Sequence, residues 1–275
     1  IGLKGKQVDE LTQRLAPASQ TPKMADTQRP ELTKSSKQSP HKPTKKKRNP
    51  PWLNKGHTPN DAPSQVEVNT LVEQYQSRNH TAAEVLAVQM TENYPSYVLG
   101  WKVLGAVYQV VMKPHEALVA NQNALALVPN DHETLNNLGN TLHSLGRLKE
   151  AELSYTDAIA VRPNVAQAHI NLAKTLRDLG RLKEALCSIR QAIALKPDSA
   201  RYHNELGVVL YDLARLEEAE TAYKQSITLK SNNPSAYNNL GLSLMGMGKA
   251  VEAKSSYLEA IAIKPDLENA HYNLA

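Results

Sequence analysis

One period governs most of this sequence. Leu138-Gly139 recurs as Leu104-Gly105, Leu172-Ala173, Leu206-Gly207 and Leu240-Gly241, each step 34 residues long. A 34-residue period with this content marks stacked helix–turn–helix units. The units start at residues 98, 132, 166, 200 and 234, and no insertion breaks their spacing. Such units bury their apolar faces against one another rather than in one central core.

Within a unit, positions 4, 7, 8 and 11 fall on one helical face, because side chains three and four apart line up. Positions 20, 24 and 27 do the same on a second helix. Gly or Ala at position 8 and Ala at 20 (Ala117, Ala151, Ala185, Ala219, Ala253) leave little side chain between the two backbones. Position 24, filled by Asn121, Tyr155, Ile189, Tyr223 and Tyr257, supplies bulk around that contact. Gly146, Gly180 and Gly248 at position 15 predict where the first helix stops, since glycine takes the left-handed conformation readily. Pro at 32 stops the second helix. Asn130, Asn164, Asp198, Asn232 and Asp266 follow as expected caps of the next first helix.

These residues resemble the tetratricopeptide repeat: a large residue at 4, Leu at 7, Gly or Ala at 8, Ala at 20, aromatic at 24, Ala at 27 and Pro at 32. The resemblance spans residues 98–275 and extends weakly to 64–97. It implies an all-α, right-handed superhelical solenoid. Residues 64–97 are expected to form a degenerate capping repeat, with helices over 66–77 and 81–92 and with Glu67 and Thr70 replacing the usual apolar residues at 4 and 7. A further repeat opens at residue 268, and the chain stops inside its first helix, which leads us to expect a longer protein.

Charge is divided unevenly. Residues 1–63 hold 13 Lys or Arg against five Asp or Glu, a net of +8, so the remainder carries −3 of the whole-chain +5. This segment is rich in Pro, Ser, Thr and Lys and poor in large apolar side chains, so it is expected to be a disordered basic tail. Lys45, Lys46, Lys47 and Arg48 form a compact cation cluster, the one place where nucleic acid could be contacted, although only Trp52 lies near for base stacking. No apolar run approaches a membrane span of ~18 residues. A single cysteine, Cys187, rules out an intrachain disulfide and fits a reducing compartment; we expect a soluble, cytoplasmic protein.

The sequence offers no Gly-rich phosphate loop, no paired cysteines and no nucleophile elbow, so no catalytic residue, cofactor or metal is assigned. His169, His203 and His271 all occupy position 4, one per repeat. Repeats stack roughly 10 Å apart, too far for shared ligation at about 2.0–2.2 Å, so these histidines read as packing residues. The run Glu217-Glu218-Ala219-Glu220 reads as a solvated helix start.

In a solenoid of this kind, positions 2, 5, 6, 9 and 12 of the first helices line the concave side. Position 6 reads Val103, Asn137, Asn171, Glu205, Asn239 and Asn273. An amide donates and accepts at once, matching a peptide group, and a ~10 Å repeat spacing corresponds to about three residues of extended chain. The pattern is similar to the asparagine ladder in the repeats of the O-linked N-acetylglucosamine transferase family, which holds a substrate peptide. Asn137, Asn171, Asn239 and Asn273 match that ladder, and Val103 and Glu205 depart from it. Asn136, Asn140, Lys174, Asn204 and Asn238 flank it. Repeat domains that clamp an acidic C-terminus need several groove cations; here Lys102 fits, but Ala106, Gln167 and Asn171 do not, which argues against a clamp. The expected function is a scaffold that binds a protein or extended peptide in its concave groove. The alternative is the substrate-recognition arm of a larger glycosyltransferase- or sulfotransferase-like enzyme.

Overall fold

The computed structural model describes residues 62–275, which form thirteen α-helices and no strand. The expectations for the basic tail and its Lys45–Arg48 cluster lie outside the described residues. The helices come in pairs: α1 (Gln65–Gln76) with α2 (His80–Asn93), α3 (Val98–Val110) with α4 (Pro114–Leu127), and α5 (His132–Ser144) with α6 (Leu148–Val161). Then follow α7 (Ala166–Asp178) with α8 (Leu182–Leu195), α9 (Ala200–Asp212) with α10 (Leu216–Leu229), and α11 (Pro234–Gly246) with α12 (Ala250–Ile263). The short α13 (Glu268–Leu274) opens a further pair. Every helix packs on its chain neighbours. From α3 onward, each first helix also touches the first helix of the next pair, a contact that second helices do not match. The all-α solenoid therefore curves with its first helices on the inner side. No helix among the described residues is long and apolar enough to cross a membrane.

Each pair closes on one contact. A Cβ added at Gly139 would lie 2.5 Å from the Tyr155 ring; at Gly207 or Gly241 it would lie 2.4 Å from the ring of Tyr223 or Tyr257. All three rings are almost fully buried. Where position 24 is the slimmer Ile189, position 8 is Ala173, and both are buried. Ala at 20 is fully buried in every regular repeat.

The stop of each first helix is set by backbone conformation more than by residue type. Gly146, Gly180 and Gly248 have φ of +72, +76 and +75, as expected, but Met112 and Ala214 take φ of +59 and +56 at the same position. The turn is held by bonds such as Arg147 N to Leu142 O and Arg215 N to Leu210 O, both 2.9 Å, so the repeat imposes it on non-glycine residues at a cost.

Three points add to or correct the expectations. First, Glu67 and Thr70, the polar replacements at positions 4 and 7, are exposed, and α1 buries Val68, Leu71 and Val72. The turn after α1 keeps the register of the other repeats, with Arg78 left-handed (φ +60) at position 15, so the buried Val68, Leu71 and Val72 fall at positions 5, 8 and 9. Glu67 closes a capping box with Ser64. Second, the caps sit one residue later than expected, at Asp131, Val165, Ser199, Asn233 and Leu267, and only the Asp131 and Asn233 side chains accept a helix N–H. Third, Glu220 is not merely solvated: it pairs with Lys224 at 2.6 Å and with Lys249 of the next repeat at 2.9 Å. The position-4 histidines also do more than pack. Nε2 of His169, His203 and His271 lies 2.9, 2.8 and 2.8 Å from the carbonyl of Pro163, Pro197 and Pro265. A carbonyl only accepts, so Nε2 carries the proton in each. Trp101 Nε1 donates to Pro95 O in the same way.

Two outcomes follow for stability. Gly207→Ala should lower the thermal midpoint, with overpacking outweighing the helix-propensity gain by on the order of 1–2 kcal/mol, and adding Tyr223→Ile should restore most of the loss by recreating the Ala173–Ile189 arrangement. Ala214→Gly should raise the midpoint by relieving about 1 kcal/mol of left-handed strain; an unchanged or lower midpoint would show that the turn carries no strain.

Candidate functional site

The inner curve is lined by first helices, so the groove residues can be followed one repeat at a time. Asn171 on α7 is fully engaged. Its Nδ2 donates to Asn136 Oδ1 at 3.0 Å and Asn140 Oδ1 at 2.9 Å on α5, and its Oδ1 accepts from Gln167 Nε2 at 2.7 Å. Asn140 Oδ1 also accepts from the Tyr155 hydroxyl at 2.8 Å, which ties the groove to the core. The same pattern recurs further on: Asn239 Nδ2 reaches Asn204 Oδ1 at 3.3 Å, and Asn273 Nδ2 reaches Asn238 Oδ1 at 3.0 Å. Position 6 of one repeat thus bonds position 5 of the repeat before. Two charged groove residues also find each other, with Lys174 Nζ 2.7 Å from Glu205 Oε1, so Glu205 places no free charge in the groove.

Asn137 stands apart. Among the described residues its side-chain amide makes no hydrogen bond; only its backbone carbonyl accepts, from the Thr141 hydroxyl. The position-5 residue before it is Lys102, not an asparagine. The amide opens on a cleft of about 370 Å³ walled by Val72 and Tyr75 of α1, Lys102, Val103 and Ala106 of α3, and His132, Glu133, Asn136 and Asn137 of α5, with Val165 at its edge. The residues of the repeat starting at 98 explain the opening. Position 9 is Ala106 where the next repeat has Asn140, and position 24 is Asn121 where the next has Tyr155. Asn121 stays fully buried and bonds Thr141 Oγ1 at 3.1 Å, so nothing from the core reaches into the groove as Tyr155 does.

One wall of the cleft carries an ion cluster. Lys102 is 4% exposed, and its Nζ lies 2.8 Å from Asp131 Oδ2 and 3.1 Å from Glu133 Oε2. Asp131 Oδ2 also accepts from the Thr134 backbone and hydroxyl. Burial alone would raise the Asp131 carboxyl, but the bonds from Lys102 and Thr134 hold it below the usual value. Burial pushes the His132 ring down, and Arg162 adds to this by donating from Nη1 to Nε2 at 3.0 Å, so His132 is neutral with its proton on Nδ1. Burial, and then the charge on Glu133, push the Tyr75 hydroxyl up. Lys102 is the cation that fits a carboxylate clamp by position, yet it is buried and already held by two carboxylates.

The pairing of helices, their closing contacts and their spacing can be set against known families. Profiles described as tetratricopeptide repeat match residues 136–200, 170–234 and 234–267. Residues 136–267 carry tetratricopeptide repeats. Similar solved structures include MamA (25% identity over 59% of this chain and 95% of that one, TM-score 0.54). PilW, a type IV pilus biogenesis factor, is 19% identical over 78% of this chain and 100% of its own, with a TM-score of 0.71. YrrB, titled a tetratricopeptide-repeat protein with an unusual peptide-binding site, is 19% identical over 68% and 96%, with a TM-score of 0.55. PilW and YrrB share the fold at that identity. No curated protein sequence matches significantly.

The sequence named Asn137 and Lys102 but not the cleft they line, nor its Glu133, His132 and Tyr75. A signal was present: the repeat starting at 98 departs from its neighbours at positions 6, 9 and 24 together. Lys102→Met should test the ion cluster. Removing a buried cation leaves two carboxylates uncompensated, and the expected loss is about 3 kcal/mol in denaturant unfolding. Lys174→Met, which breaks a more exposed pair, should cost below about 1 kcal/mol.

Proposed function

We propose that the chain is a protein-interaction scaffold that holds an extended polypeptide segment on its inner curve, anchored at the cleft between α1, α3 and α5. The carrying observation is the unengaged Asn137 amide at the wall of that cleft. An amide with its donors and acceptor free can pair with both halves of a peptide group. Asn171, Asn239 and Asn273 are instead occupied by neighbouring amides and act to fix the spacing of repeats. The peptide ladder is thus reduced to one open rung with an apolar pocket beside it. That combination suits a partner better than backbone contacts alone, since each hydrogen bond nets only ~0.5–1.5 kcal/mol. The similarity to YrrB, with the peptide-binding site its title names, supports this reading.

The test selects random dodecapeptides on the full chain by display and measures the affinity of the selected peptides by fluorescence polarisation. Asn137→Ala should weaken them about tenfold, the loss of two modest hydrogen bonds, with helical circular dichroism unchanged. Asn171→Ala should lower the thermal midpoint more than it changes affinity. Selected peptides indifferent to Asn137→Ala would place the binding surface elsewhere.

A further inference from the structure

The cleft has a chemical preference that its shape alone does not set. We infer that it takes an extended segment carrying an apolar side chain and, two residues away, a lysine or arginine; this rests on the reading of the cleft as a polypeptide site. The apolar requirement comes from Val72, Tyr75, Val103 and Ala106, which leave room for one large side chain.

The cation requirement comes from the ion cluster. Lys102 is one positive charge held between two carboxylates, so the wall keeps a negative charge in excess. Asp131 has committed Oδ2 to Lys102 and Thr134 and is 15% exposed, whereas the Glu133 side chain is 35% exposed and uses only Oε2. Oε1 of Glu133 remains open to a donor. Its charge acts across the cleft, because after burial it is the second influence that raises the Tyr75 hydroxyl. Arg162, the nearby cation, is turned to His132 and does not line the cleft. An acidic segment would meet Glu133 with no free cation to offset it, so the wall also selects against such partners. In an extended segment, residues two apart share a face, which sets the spacing between anchor and cation.

The experiment uses an array of nonapeptides, Gly-Ser-Ala-X-Ala-Z-Ala-Ser-Gly, with every residue type at X and Z, probed with the labelled full chain. The strongest signals should pair a large apolar residue with Lys or Arg, about threefold above the same apolar residue paired with Gln, as expected for a half-exposed ion pair. Pairs with Glu should be weaker still. Glu133→Gln should erase the Lys and Arg advantage and leave the apolar preference intact. Raising the salt should shrink the cation preference and not the apolar one. An apolar preference that is indifferent to charge, or one that favours Asp and Glu, overturns the inference while the groove reading stands. A cation preference unchanged in Glu133→Gln overturns it too. No retention of any peptide above background, together with display-selected peptides that ignore Asn137→Ala, sinks both.

Discussion

The structure depends on a missing side chain meeting a ring. At Gly139, Gly207 and Gly241 the first helix lies so close to Tyr155, Tyr223 and Tyr257 that no Cβ fits. This contact sets the distance between the two helices of a repeat. Interiors are close-packed and do not deform smoothly, so the same distance is reproduced in each copy and the curvature follows. Ala173 with Ile189 shows the rule from its other side: a smaller partner admits a larger position 8. Asn121 opposite Gly105 is the exception. It gives up aromatic bulk and leaves its Oδ1 buried without a donor among the described residues.

What the sequence revealed and what it hid divide along physical lines. The period, the apolar faces and the Gly–Tyr pairing are local or recur at fixed spacing, so they could be read directly. The apolar face of α1 was hidden because Val68, Leu71 and Val72 fall at positions 5, 8 and 9, whereas the repeat is recognised by large residues at 4 and 7, here Glu67 and Thr70. The caps were misplaced by one residue because the turn geometry of the repeat and not residue type fixes them: it takes Asp131 over Asn130, but also Val165 and Leu267 over the better capping types Asn164 and Asp266. The fate of the asparagines was the hardest to read. Whether an amide faces solvent or bonds residue 136 or 204 depends on how tightly successive first helices approach, a property of the whole curve and not of any one repeat.

That fate changes what the groove can do. An amide bonded to its neighbour has part of its capacity committed, and breaking that bond for a ligand exchanges one hydrogen bond for another with little net gain. The paired asparagines, and Lys174 with Glu205, therefore hold the inner curve together more than they offer it to partners. Local departures from a repeating pattern tend to mark sites where something other than stability is served. Here Val103, Ala106 and Asn121 depart together, and the cleft with its open amide lies where they do.

The position of the cleft has a further consequence. Later first helices touch one another along the inner curve, and α1 lies more loosely against α3, although Val68, Leu71 and Val72 share an apolar cluster with Leu99, Val103 and Val107. The N-terminal pair is joined to the array through α2 against α3 and through one buried apolar cluster that runs from Val68, Leu71 and Met90 to Leu99, Leu104 and Ala120, while exposed ties such as Lys113 to Glu84 at 2.7 Å contribute little. A segment seated between α1, α3 and α5 would add to the inner contact between α1 and α3. Binding and the ordering of the first repeat are then linked, since whatever favours the seated state also favours α1 in place. On the proposed reading, the affinity of the groove depends on how firmly α1 is held as well as on the lining residues.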